Sequence, residues 1–124
     1  MRLSGRKTVL CLALVTQGAV GLSQEPADPM KLLREGQVQA AELAFDRLVV
    51  QSPNDPDSWL GRGLARSRQG LWKGAIQDLE KAVALAPGYA DAWAALGDVY
   101  RWNDRWAAAA DAYARLAALR PQDA

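Results

Sequence analysis

Between residues 90 and 102 the apolar side chains fall into a regular pattern. Trp93, Leu96, Gly97 and Tyr100 are separated by three, one and three positions, so all four lie on one stripe of an α-helix. A second stripe follows at Ala109, Tyr113, Leu116 and Ala117, with the polar run Asn103, Asp104 and Arg105 between the two. This describes two amphipathic helices joined by a tight turn. The same reading predicts helices over about 38–51, 56–69, 72–86, 90–102 and 106–119. A shorter helix, Met30 to Glu35, precedes them, because Pro26 and Pro29 keep it from beginning before Asp28.

The pattern recurs at a constant interval. Trp59 and Trp93 are 34 residues apart, as are Gly63 and Gly97, Ala75 and Ala109, and the series Pro53, Pro87 and Pro121. Gly36, Ala41 and Phe45 stand 34 residues before Gly70, Ala75 and Leu79. Small residues at 97 and 109 let two antiparallel helices approach where they cross. Asp55 is placed to cap a helix that starts at Pro56, and Gly70 suits a left-handed C-terminal cap. In the last turn Asp104 takes the place of Gly36 and Gly70, and Asn103 or Asp104 adopts the left-handed conformation more readily than most residues. Trp72 and Trp106 open the second helices, where a large side chain is expected to staple each pair together. Trp102 then either packs on Trp106 or contacts a ligand.

The segment WAALGDVY, followed by Ala109, Tyr113 and Pro121, resembles the tetratricopeptide repeat pattern WxxLGxxY, AxxxF and P, with Tyr in place of Phe. The resemblance covers residues 30–121 as units of about 30–53, 56–87 and 90–121, preceded by a linker at 24–29 and followed by a tail at 122–124. It implies an all-α fold, an α-solenoid of antiparallel helix hairpins with about two and a half units in a right-handed superhelical stack. Two positions depart from the pattern. Arg62 and Arg66 stand where the third unit has Leu96 and Tyr100. Their stems either lie along the neighbouring helix, or their guanidinium groups meet carboxylates such as Glu42 or Asp46, forming an anion pocket in the sharper form of that reading.

Composition narrows the function classes. A chain of 124 residues allows one ordinary domain. Arg2, Arg6 and Lys7 ahead of TVLCLALV, with AVGLS after it, form the layout of a cleavable signal peptide over residues 1–23. The apolar run is too short for a membrane-spanning helix, so no stable membrane insertion is expected after cleavage, and Cys11 reads as filler within it. Cleavage removes three of the 15 basic residues and none of the 14 acidic ones, leaving a net charge of −2. Such a balance argues against a nucleic-acid partner. The processed chain has neither cysteine nor histidine, so no disulfide, thiolate, zinc or imidazole chemistry is expected, and no cofactor.

The resemblance also implies a concave groove lined by the first helix of each unit. By register its positions are Asp57, Leu60, Gly61, Leu64 and Arg68 in the second unit, and Asp91, Ala94, Ala95, Asp98, Arg101 and Trp102 in the third. The surface is aliphatic in the middle, acidic at one edge and cationic at the other, which suits a protein or peptide segment. The Lys and Asn clamp that some members use on a C-terminal carboxylate is missing, since Leu60, Leu64, Ala94 and Asp98 occupy those places. Asp91 and Asp98 share a helix face at about 10 Å, a spacing near that of an inverting glycosidase pair, but nothing else in the chain supports catalysis. No enzyme is expected. The last helix leaves a face of Ala110, Tyr113 and Ala117, with Ala114 nearby, as a docking end for a partner or a second copy in a homodimer. The resulting expectation is a periplasmic or secreted scaffold of a bacterial envelope. The alternative is a carbohydrate-binding accessory of polysaccharide export in which Trp102 stacks on a sugar.

Overall fold

The computed structural model describes residues 27–120. The proposed signal peptide, Pro121 and the tail lie outside the described residues. Among the described residues six helices follow one another: α1 Pro29–Arg34, α2 Val38–Gln51, α3 Pro56–Arg68, α4 Trp72–Leu85, α5 Ala90–Trp102 and α6 Trp106–Leu119. Their ends agree with the periodicity to within one residue. Each helix packs on the next as an antiparallel hairpin, while α1, α3 and α5 also touch across the row.

The turns show why the interval holds. Asp28 and Asp55 cap α1 and α3, each carboxylate accepting a backbone N–H at 3.0 Å, and each cap is followed by proline at the first helical position. The three tight turns within hairpins are closed alike, by Gln37 N–H to Leu32 (2.9 Å), Leu71 N–H to Arg66 (2.9 Å) and Arg105 N–H to Tyr100 (2.8 Å). These bonds require one left-handed residue per turn, supplied by Gly36 (φ 82°), Gly70 (φ 75°) and Asp104 (φ 59°). Between hairpins, the indole N–H groups of Trp59 and Trp93 donate to the carbonyls of Pro53 (2.8 Å) and Pro87 (2.7 Å). The repeated Trp–Pro pair is therefore a hydrogen-bonded lock as well as a helix stop.

Two apolar clusters form the core. Leu33, Ala41, Phe45 and Ala65 hold the first unit to α3, and a larger set centred on Leu79, Leu96 and Val99 joins the second and third units. Between α2, α3 and α4 lies an ionic network. Arg62 grips Asp78 through Nε (3.1 Å) and Nη2 (2.9 Å) and reaches Asp46 through Nη1 (3.1 Å). Arg66 donates to Asp78 (3.0 Å) and to Glu42 (2.9 Å), and Gln69 donates to Glu42 as well (2.9 Å). Asp78 is only 2% exposed and bridges both guanidinium groups. The carboxylate reading of Arg62 and Arg66 thus describes the structure, with Asp78 as a partner the pattern did not point to. No buried side-chain polar atom among the described residues lacks a partner.

Hydrogen bonds from Arg66, then from Gln69, hold the Glu42 carboxyl below its ordinary value of 4.5. A lowered folded pKa contributes stability above the unfolded value, and that stability is lost as pH falls through the folded one. Glu42→Gln is therefore expected to lower stability at neutral pH and to flatten the loss below about pH 4.5, read by urea unfolding at a series of pH values. An acid limb as steep as the parent's would place the titration on other groups.

Candidate binding groove

A cavity opens between the C-terminal halves of α3 and α5. Leu64, Ser67 and Arg68 form one wall, Ala95, Asp98, Val99 and Trp102 the other, and Trp72 closes the end, around a volume of about 610 Å³. Most of the lining is carbon, and the size falls within the range of ligand pockets. Trp102 remains 51% exposed. Its ring lies 6.0 Å from that of Trp72, tilted by 49°, and the Arg101 guanidinium stands 5.6 Å over it. Arg68 is anchored by donating to the Leu33 carbonyl at the end of α1. Asp98 accepts from the Tyr113 hydroxyl, and burial followed by this bond raises the phenol pKa.

Five of the residues expected in the groove meet here: Leu64, Arg68, Ala95, Asp98 and Trp102. The rest divide. Leu60 is 6% exposed and belongs to the core, and Gly61 is buried against Phe45, so neither lines this cleft. Gly61 turns toward α2, and Leu60 walls a smaller cavity at the other end of α3, because α3 is covered on more sides than one stripe allows for. Asp57 lies at the other end of α3, beside a smaller cavity, and accepts from the Tyr89 hydroxyl. Asp91 is outside the cleft, paired with Arg120 at 2.8 Å, because antiparallel packing sets the start of α5 against the end of α6. Arg101 reaches the cleft only by stacking on Trp102, with Asp98 4.0 Å away. Asp98 lines this cleft and Asp91 does not.

The tryptophans pair differently from the expectation. Trp102 packs on Trp72 of the preceding unit, not on Trp106, and Trp106 is 62% exposed. The bulky residue that opens a second helix staples it to the next unit, so Trp72 is covered by α5 while Trp106 has no such neighbour among the described residues. On the outer face of α6, Ala110 and Ala117 are exposed as expected, but Tyr113 is not part of that face. Its ring lies against Gly97 on α5, as Leu79 lies against Gly63 one unit earlier. Ser67, Val99 and Trp72 are the cleft residues that the sequence did not mark. For Trp72 a signal existed in its 34-residue relation to Trp106, the residue expected beside Trp102.

A family profile for the tetratricopeptide repeat matches residues 32–96, half of the chain. No curated protein matches the sequence. Among solved structures, the chain is similar to MamA 41-end from Desulfovibrio magneticus RS-1, with 26% identity and a TM-score of 0.72 over 77% of this chain and 55% of that one. It thus spans about half the length of the MamA chains it matches. The first TPR of Spaghetti (RPAP3) bound to the HSP90 peptide SRMEEVD shares the fold, at 24% identity and a TM-score of 0.73 over 75% of this chain and 74% of that one. So does the yeast Sti1 TPR2B domain in its pHsp70 complex, at 16% identity and a TM-score of 0.73 over 76% and 75% of the two chains.

Proposed function

The chain belongs to the tetratricopeptide repeat family, and from that premise we propose that it is a non-catalytic scaffold holding a peptide or protein segment along α1, α3 and α5. The observation that carries this reading is the apolar cleft of about 610 Å³ between α3 and α5, with half-exposed Trp102 at its rim. The RPAP3 and Sti1 domains of the same fold are described in complexes with HSP90 and Hsp70 peptides, which supports peptide binding as the use of such a surface. Leu60, Leu64, Ala94 and Asp98 stand here where a carboxylate clamp would need Lys and Asn, so the partner is of another kind.

Peptide binding is expected to change tryptophan emission, and Trp102→Ala to weaken it about thirtyfold while leaving the melting temperature near the parent's, since an anchoring aromatic is worth about 2 kcal/mol. Binding that is indifferent to Trp102 would move the site elsewhere. Carbohydrate stacking has less support, because Arg101 already stands over the Trp102 ring and Trp72 packs beside it. Quenching by envelope polysaccharide fragments that disappears in Trp102→Ala would reverse that preference.

In this proposal the scaffold works outside the cytoplasm of a bacterium, on the strength of the charge and hydropathy layout of residues 1–23. The form recovered from a periplasmic fraction is expected to begin near Gln24, as read by mass spectrometry. Recovery of the intact N-terminus in the cytosol would overturn the location and leave the groove untouched.

A further inference from the structure

A second cavity, about 260 Å³, lies at the opposite end of α3. Its floor is apolar, from Met30, Phe45, Leu48 and Leu60, and its mouth carries three carboxylates, Asp28, Asp55 and Asp57. Asp57, Leu60, Leu64 and Ser67 are spaced three, four and three apart, so α3 presents one stripe that walls both cavities. The two ends of the groove differ in chemistry. The Trp72–Trp102 end is apolar, whereas the Asp57 end pairs an apolar floor with negative charge.

Resting on the reading of this groove as a peptide site, we propose that its preferred ligand is an extended segment carrying a large apolar or aromatic residue and, four or five residues away, a lysine or arginine. The apolar residue enters the Trp72–Trp102 cleft. The basic residue lays its aliphatic stem on Leu60 and Leu48 and turns its charge to Asp55 and Asp57. From Asp57 to Ser67 is ten residues of helix, about 15 Å, which an extended strand covers in four to five residues at roughly 3.3 Å each.

Charge complementarity sets the sign. The groups facing the mouth are the three carboxylates, the Tyr89 and Ser58 hydroxyls that donate to Asp57 and Asp55, and Arg34, which lies 3.9 Å from Asp28. One arginine against three carboxylates leaves the mouth negative. Each carboxylate keeps lone pairs beyond its internal bonds. An acidic segment, of the kind found in the RPAP3 complex, would meet repulsion here.

The test uses fluorescein-labelled decapeptides of alanine and serine that carry one Phe and one Lys, spaced two, five or eight apart, in both chain directions. Titration by anisotropy is expected to favour the spacing of five, and Lys→Glu in that peptide is expected to weaken binding by about tenfold. The double variant Asp55→Asn with Asp57→Asn, in which Asn preserves the helix cap, is expected to weaken the Lys peptide about fivefold and to leave a Phe-only peptide unchanged. Equal binding of the Lys and Glu peptides, or indifference to the double variant, overturns the basic-residue assignment. If those peptides still depend on Trp102, the peptide reading itself survives. If none of the peptides binds, both readings fall.

Discussion

Asp78→Ala is expected to cost about 3–5 kcal/mol, the range for removing one partner from a buried ionic group, and so to consume most of the stability of a domain this size. The reason is the position of Asp78 rather than its charge alone. It is 2% exposed and accepts from Arg62 and Arg66 together, so its loss leaves three N–H donors of two largely buried guanidinium groups, 16% and 24% exposed, without their acceptor. Asp46 and Glu42 remain as counter-charges but already accept from other N–H groups of the same arginines. Urea unfolding followed by circular dichroism measures the cost.

The repeat itself supplies the control. One unit later, the positions of Arg62, Arg66 and Asp78 are Leu96, Tyr100 and Ala112, and the position of Glu42 is Ile76. Apart from Glu80, which takes the place of Asp46 at the exposed edge, the second joint thus fills with apolar side chains the space that the first joint fills with charge. Transplanting it, as Glu42→Ile, Arg62→Leu, Arg66→Tyr and Asp78→Ala together, is expected to give a protein within about 1 kcal/mol of the parent or above it, since well-packed apolar groups often replace buried ion networks without loss. A quadruple variant as unstable as Asp78→Ala would mean that the two joints are not interchangeable. A cost below about 1 kcal/mol for Asp78→Ala alone would remove its central place in the network.

Gly61→Ala is expected to destabilise by about 1–3 kcal/mol, although alanine is the better helix former by about 1 kcal/mol. A methyl group at this position would overlap three atoms of the Phe45 ring, which is 3% exposed and would have to shift out of its place in the core. The next joint solves the same problem in reverse. Phe45 and Gly61 correspond to Leu79 and Ala95, a smaller side chain on one helix facing a larger one on the other. Adding Phe45→Leu to Gly61→Ala is therefore expected to recover at least half of the loss. If the double variant is no better than the single, the clash with Phe45 is not the cause.

The sequence by itself determined the interval, the six helices and their ends, and the turns. Those features depend on local chemistry: a capping carboxylate before Pro56, a left-handed residue at 36, 70 and 104, and a small residue where two helices cross. What the sequence left open was which neighbour covers which side chain. In a stack of hairpins every inner helix touches the helix before it and the helix after it, and both contacts use the same three-and-four spacing. Periodicity marks a residue as inward without saying toward which helix. Only the tertiary structure decided that Trp72 and not Trp106 supports Trp102, that Leu60 belongs to the core, that Tyr113 turns back onto Gly97, and that Asp78 closes the network around Arg62 and Arg66.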